Sequence, residues 1–216
     1  MSAPVLQPLL DSPALPHLVE RLQDALRSEA VARERFRDWL TPEVKAEFIN
    51  GEVVMHSPAR DAHNQVVRRL VALLGAHNDA HALGGVVTAE KALVGLTRND
   101  YEPDVAFWGP EKAAEIGRDT NVYPAPDLAV EVLSASTARR DRGVKREDYA
   151  AHGVAEYWII DADDETVAAH HLDGRLYREE TAGATLESQV VAGFAIPTRA
   201  LFESAAHLAA LRAILA

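Results

Sequence analysis

The sequence contains no cysteine at all, which excludes a disulfide framework and every thiolate metal site, and is compatible with the reducing cytoplasm expected for it. No apolar run approaches the roughly 20 residues a membrane-spanning helix needs, and the opening MSAPVLQPLLDSPALP has no basic stretch followed by an apolar one. A signal peptide and a membrane association are therefore not expected. Positive charge is scarce as well. Lys and Arg number 22 against 33 Asp and Glu, a formal net charge of −11, which opposes non-specific contact with nucleic acid unless the cations are concentrated. Internal repeats and low-complexity segments are missing too. What remains is an ordinary globular composition, 48% hydrophobic and 25% charged over 216 residues, enough for one domain with a substantial core.

The organisation reads from periodicity and turn residues. Residues 1–40 form an irregular, Pro-rich lead-in followed by a peripheral amphipathic helix through Leu18, Val19, Leu22, Leu26, Val31, Phe36 and Trp39, ended by Thr41-Pro42. Residues 41–216 form the single main domain. In AEFINGEVVM, Asn50-Gly51 between two β-prone runs predicts a tight hairpin. Asp61 is placed to cap a helix whose apolar stripe is Val66, Val67, Leu70, Leu73 and Leu74. Three strands are predicted in GVVTAEKALVGL, PDVAFW and DLAVEVLS, then a helix over 141–152 stopped by Gly153. The strand EYWIID, a hairpin turning at Asp173-Gly174 and a closing helix over 201–215 complete the chain. The class is α/β (α+β), with a mixed sheet. Trp108, Tyr149, Tyr157 and Trp158 occupy core-like positions and are not assigned to base stacking.

The chemistry concentrates in two apolar strands. In DLAVEVLS, alternation sets Leu128, Val130 and Val132 on one face and Ala129, Glu131 and Leu133 on the other. Glu131 is thus an acid among apolar neighbours, and a buried carboxylate needs a cation, either a metal ion or a basic side chain. Asp104 follows Pro103 at the opening of VAFW, where proline is tolerated at a strand's rim. Two such strands bring carboxylate oxygens together, as a hard cation such as Mg²⁺ prefers. Arg139, Arg140, Arg142, Lys145 and Arg146 make the densest basic cluster in the chain. They can grip a phosphodiester, or simply be a solvated helix face paired with Asp141, Glu147 and Asp148.

These stretches, AEFINGEVV, SPARDAHNQVVRRL, EPDVAFW, the long run from Pro126 to Asp161 and HHLDGRLY, resemble the Uma-type restriction-endonuclease family of the PD-(D/E)XK nuclease superfamily. The likeness covers about residues 45–178 in the expected order. It implies a restriction-endonuclease-like mixed sheet flanked by helices, with extra β-hairpins. It also implies a metal-dependent endonuclease using Mg²⁺ or Mn²⁺, with Asp104 and Glu131 as metal ligands and Glu47 and His63 as further members of the site. Nucleic acid is the implied partner, DNA ahead of RNA although the residues do not separate the two, and a homodimer is compatible with it. Arg139, Arg140 and Arg146 are candidate phosphate contacts. One position departs from the superfamily pattern: where a lysine normally stands two residues after the Glu, this chain has Leu133. The resemblance relocates that lysine to Lys145 on the following helix, there to orient water or stabilise phosphoryl charge. The rival readings are a non-catalytic binding module, favoured by the acidic charge and by Leu133, and a hydrolase of smaller phosphate esters.

Overall fold

The computed structural model describes residues 3–216. The N-terminal segment, expected to be irregular, is helical: α1 spans Ala3–Leu10 and α2 spans Leu15–Trp39, while residues 1–2 of the expected lead-in lie outside the described residues. Leu, Gln and Ala favour the helix, and in so short an element Pro8 forfeits only one backbone bond. Helix α2 runs unbroken through Ser28 and is less peripheral than expected. Its C-terminal part docks Phe36 on Phe48, with ring centroids 5.7 Å apart, in a small core shared with Ala46 and Leu93.

The hairpin forms as its turn residues require. Strands β1 (Ala46–Ile49) and β2 (Glu52–Met55) are joined by Asn50 and Gly51 with φ of 52° and 88°, the left-handed pair of a type I′ turn. Helix α3 (Asp61–Ala80) follows, with Arg60 rather than Asp61 at its N-cap. Its predicted stripe Val66, Val67, Leu70, Leu73 and Leu74 is buried throughout.

The run predicted as one strand, GVVTAEKALVGL, is two. Strands β3 (Val86–Ala89) and β4 (Leu93–Gly95) lie in different sheets. The chain breaks between them at Glu90, which adopts φ 54°, a conformation that costs a non-glycine residue free energy and ends strand pairing. Strands β5 (Asp100–Tyr101) and β6 (Val105–Trp108), helix α4 (Pro110–Ala113), and strands β7 (Val122–Tyr123) and β8 (Leu128–Val132) come next. The predicted helix over 141–152 begins earlier, with α5 (Ala138–Arg140), a π-helical turn (Asp141–Lys145) and α6 (Arg146–Ala151). Strand β9 (Glu156–Asp161) and the long hairpin β10 (Thr166–Asp173) and β11 (Leu176–Thr181) follow. The chain closes with β12 (Thr185–Glu187), β13 (Ala195–Pro197), a 3-10 turn and α7 (Ser204–Ile214).

The central sheet has the order β11-β10-β9-β8-β6-β3, mixed because β8 and β9 run parallel while its other pairs are antiparallel. Leu128, Val130 and Val132 on one face pack in the main core with α3 and α7. Ala129 and Leu133 on the other join a second core of Tyr101, Trp108, Tyr149, Tyr157 and Ile159. That second core lies beneath a five-stranded sheet of order β2-β1-β5-β4-β7. The alternation in β8 therefore sends Glu131 into the layer between central sheet, outer sheet and helix.

Helix α2 is fastened to the outer sheet by charge. Asp100 is fully buried, and its carboxylate accepts from Arg33 Nε at 2.8 Å and Arg37 Nε at 2.9 Å. Arg33 also donates to the carbonyls of Thr97 and Asn99. The arginines hold the Asp100 carboxyl below its ordinary pKa against the opposing effect of burial. Removing both, as in Arg33→Met with Arg37→Met, leaves a buried charge without a partner. Stability in urea should fall by roughly 3–5 kcal/mol, whereas Arg21→Met on the exposed face of α2 should stay within about 0.5 kcal/mol.

Candidate active site

Asp104 and Glu131 meet because of strand register. Strands β6 and β8 are antiparallel with Val105 opposite Val130, so the next position outward sets Asp104 across from Glu131, on the same face of the sheet. The two acids line a cavity of about 520 Å³ together with Lys45, His56, His63 and Glu90. Asp104 is fixed on both sides. Its Oδ2 accepts from the Val132 N–H at 2.9 Å, and its Oδ1 lies 2.8 Å from Lys45 Nζ and 3.4 Å from His63 Nε2. Burial would raise the Asp104 carboxyl pKa, but His63 and Lys45 outweigh it and hold the group far below the ordinary range.

Beneath this layer lies a second one, closed to solvent. Lys145 is 1% exposed, and its Nζ sits 2.8 Å from Glu47 Oε1, 3.0 Å from Glu131 Oε1 and 3.3 Å from Asp141 Oδ1. Burial opposes the ammonium charge, yet the three carboxylates raise the Lys145 pKa well above its ordinary value. The acids divide unequally. Burial is outweighed at Glu47 by Lys145 and His56, which hold its pKa at about 2. Burial prevails at Glu131, reinforced by Asp141, Asp104 and Glu47, and drives it well above 4.5. Asp141 is likewise raised, chiefly by burial.

The local fold explains how Lys145 and Asp141 both face inward. They are the ends of the π-helical turn Asp141–Lys145, four residues apart and so on the same side of the helix. Glu47 is delivered by β1, and its Oε1 also accepts from the Glu102 N–H at 3.0 Å. His56, after β2, comes within 3.2 Å of Glu47 Oε2.

The structure thus brings Asp104, Glu131, Lys145, Glu47 and His63 into one neighbourhood. It does not bring Arg139, Arg140 or Arg146 there, since none of them lines the cavity. Arg140 donates to the Ser136 carbonyl, and Arg146 borders a separate, smaller pocket on the far side of Leu133. Lys45, His56, Glu90 and Asp141 were not singled out from the sequence. Glu90 carried the clearest missed signal, a Glu-Lys pair inside an otherwise apolar run. Lys45 carried a weaker one, two residues before Glu47 and so on the same face of an extended strand.

A cation fits this donor set. His63, Glu90 and Asp104 each offer one ligand atom, all within 4.8 Å of one another. Among the described residues, both ring nitrogens of His63 and Nε2 of His56 are buried without a hydrogen-bond partner. Carboxylates with a single imidazole suit Mg²⁺ or Mn²⁺, the nitrogen favouring Mn²⁺.

Lys145→Met should cost roughly 3–5 kcal/mol at neutral pH, because three carboxylates lose their shared cation. The sign of its pH dependence follows from the raised acids. Without the ammonium the folded state binds more protons than the unfolded one, so stability declines as pH rises above the unfolded carboxylate range of about 4. The variant should therefore be more stable at pH 5 than at pH 8 in urea titrations. Equal stability at the two values would contradict the arrangement.

Comparison with known proteins follows the same lines. A solved structure described as a "putative nuclease belonging to DUF820", from Anabaena variabilis, superposes with a TM-score of 0.68 at 17% identity, covering 78% of this chain and 96% of that one. At that identity the likeness establishes the shared fold, mixed sheets flanked by helices. No curated protein is similar to the chain. The family model described as "Uma2: Putative restriction endonuclease" matches residues 33–199, which takes in the hairpin, both acidic strands and the π-helical turn. The chain belongs to that restriction-endonuclease family.

Proposed function

We propose that the cavity is the active site of a divalent-metal-dependent endonuclease that hydrolyses phosphodiester bonds in nucleic acid, with DNA as the substrate and Mg²⁺ or Mn²⁺ as the cofactor. The observation that carries this reading is the placement of Asp104 across from Glu131 on adjacent antiparallel strands at an open cavity. Asp104, Glu131, Glu90 and His63 would hold the ion. When bound, it polarises the scissile phosphoryl group and lowers the pKa of a coordinated water.

The protein's own residues prepare that chemistry. The Val132 N–H holds Asp104 Oδ2 and so directs Oδ1 toward the cavity. Lys145 grips Glu131 Oε1 and fixes that carboxylate at the cavity wall. Glu47 and Asp141 complete the ammonium's coordination from below, so both ligand carboxylates are preorganised before substrate arrives. His63 lies with Nε2 3.4 Å from Asp104 Oδ1, and among the described residues neither ring nitrogen has a hydrogen-bond partner, so the ring is able to ligate the ion or to accept a proton from attacking water.

A second reading, a nuclease fold acting as a binding module, draws on Leu133 and on the seclusion of the basic cluster from the cavity. Incubation of supercoiled and linear DNA with the protein in Mn²⁺ or Mg²⁺ separates the two. The nuclease reading expects nicking or cutting that EDTA abolishes and that Asp104→Ala or Glu131→Gln slows by about 100-fold or more. Cleavage that survives Asp104→Ala would assign it to a contaminant or another site. A clean preparation inert toward single-stranded, double-stranded and structured substrates in Mn²⁺ would favour the binding module.

A further inference from the structure

We infer that Lys45, and not Lys145, is the lysine that contacts the substrate phosphate, and that in the resting protein it stands in for the divalent ion at Asp104; this rests on the nuclease reading of the same cavity. The two lysines differ in what they can reach. Lys145 does not line the cavity, is 1% exposed and spends its ammonium on Glu47, Glu131 and Asp141. An ammonium has three protons, and three carboxylate oxygens already surround this one. Withdrawing it toward a phosphate would leave Glu47 and Asp141 buried without a cation. Lys145 is therefore a positioning residue, acting through Glu131.

Lys45 has the opposite character. It lines the cavity, its side chain is 21% exposed, and among the described residues its one side-chain hydrogen bond is to Asp104 Oδ1 at 2.8 Å. It is anchored by backbone rather than by its ammonium: the Lys45 carbonyl accepts from the His56 N–H at 3.1 Å, next to the first pair of the β1–β2 hairpin. A four-carbon stem from that fixed point lets the ammonium swing without disturbing the fold. Asp104 Oδ1, which Lys45 holds at 2.8 Å, is also one of the oxygens that would hold a divalent ion, so Lys45 would release it when the ion is bound. The displaced charge stays in the cavity within a side chain's reach of the ion. There it can pair with a non-bridging phosphoryl oxygen and offset charge that builds up during cleavage. The cation missing at Leu133 is thus supplied by the residue that precedes β1.

The two arms of the test read metal and phosphate separately. Calorimetric titration of Mn²⁺ into Lys45→Met should show binding roughly five-fold tighter than in the unsubstituted protein, because the competing half-buried ion pair is gone. The same variant should cleave DNA about 100-fold more slowly, with Lys45→Arg recovering part of the loss. Lys112→Met, which removes a cation paired with Asp127 outside the cavity, should change neither quantity. Thermal melting checks that Lys45→Met is folded, and Lys45→Arg carries the test if it is not. Mn²⁺ affinity that is unchanged or weaker in Lys45→Met, or cleavage at the unsubstituted rate, overturns the inference. Should the unsubstituted protein bind Mn²⁺ yet cleave nothing, the nuclease reading fails on its own. The lysine is then judged by fluorescence anisotropy of a short oligonucleotide in Ca²⁺: weaker binding by Lys45→Met supports the phosphate contact, and equal binding removes it.

Discussion

The ammonium of Lys145, closed in by Glu47, Glu131 and Asp141, is the interaction on which the rest of the site depends. Burying three carboxylates at one place is unfavourable by a wide margin unless a cation lies among them. One cation is not enough for three acids. Glu47 is satisfied and held at about 2, while Glu131 and Asp141 are pushed upward by burial that Lys145 does not outweigh. The shortfall falls on Glu131, the member that also borders the cavity. The fold therefore keeps a carboxylate short of positive charge at the boundary where a cation can enter from solvent. Such an arrangement is costly for stability and useful for binding.

Much of this was legible in the sequence wherever the pattern is local. Alternation along β8 separated Glu131 from Leu128, Val130 and Val132, and the two faces do belong to different cores. Asn50-Gly51 set the hairpin, and the α3 stripe was recognisable from its spacing. The illegible parts depend on long-range geometry or on strain. Glu90 breaks an apolar run by adopting φ 54°, a choice its neighbours do not encode, and that break delivers its carboxylate beside Asp104. Asp141 looked like a surface acid because local spacing does not tell a solvated pair with Lys145 from a buried one, and only the packing of Lys145 against Glu47 and Glu131 buries both. The N-terminal helix looked peripheral because its apolar residues are sparse. Its attachment runs instead through Arg33 and Arg37 to Asp100, some sixty residues away, and no periodicity reports a contact of that kind.

The net charge of −11 also takes on a local meaning. The arginines of the basic cluster, Arg139, Arg140, Arg142 and Arg146, follow Glu131 closely in sequence, but none of them lines the cavity. Within the cavity Lys45 is paired with Asp104, and Glu43, Glu90 and Glu131 line it as well. Long-range attraction of a polyanion is thus weakly provided for. Close-range recognition of a single phosphate is better provided for, because paired charges in a half-buried cavity become available when a partner is exchanged.

That exchange clarifies why two lysines are present where the superfamily pattern has one. One lysine two residues after Glu131, on the same face of β8, could both neutralise the buried acids and reach a phosphate. Leu133 removes that option here and adds to the apolar core between the sheets. The two tasks then fall to different elements. A lysine that neutralises buried acids must be rigid and dry, as Lys145 is within its π-helical turn. A lysine that meets an incoming phosphate must be reachable from solvent, as Lys45 is just before β1. No single side chain in the buried layer can do both, since freeing its ammonium would expose the carboxylates it was placed there to balance.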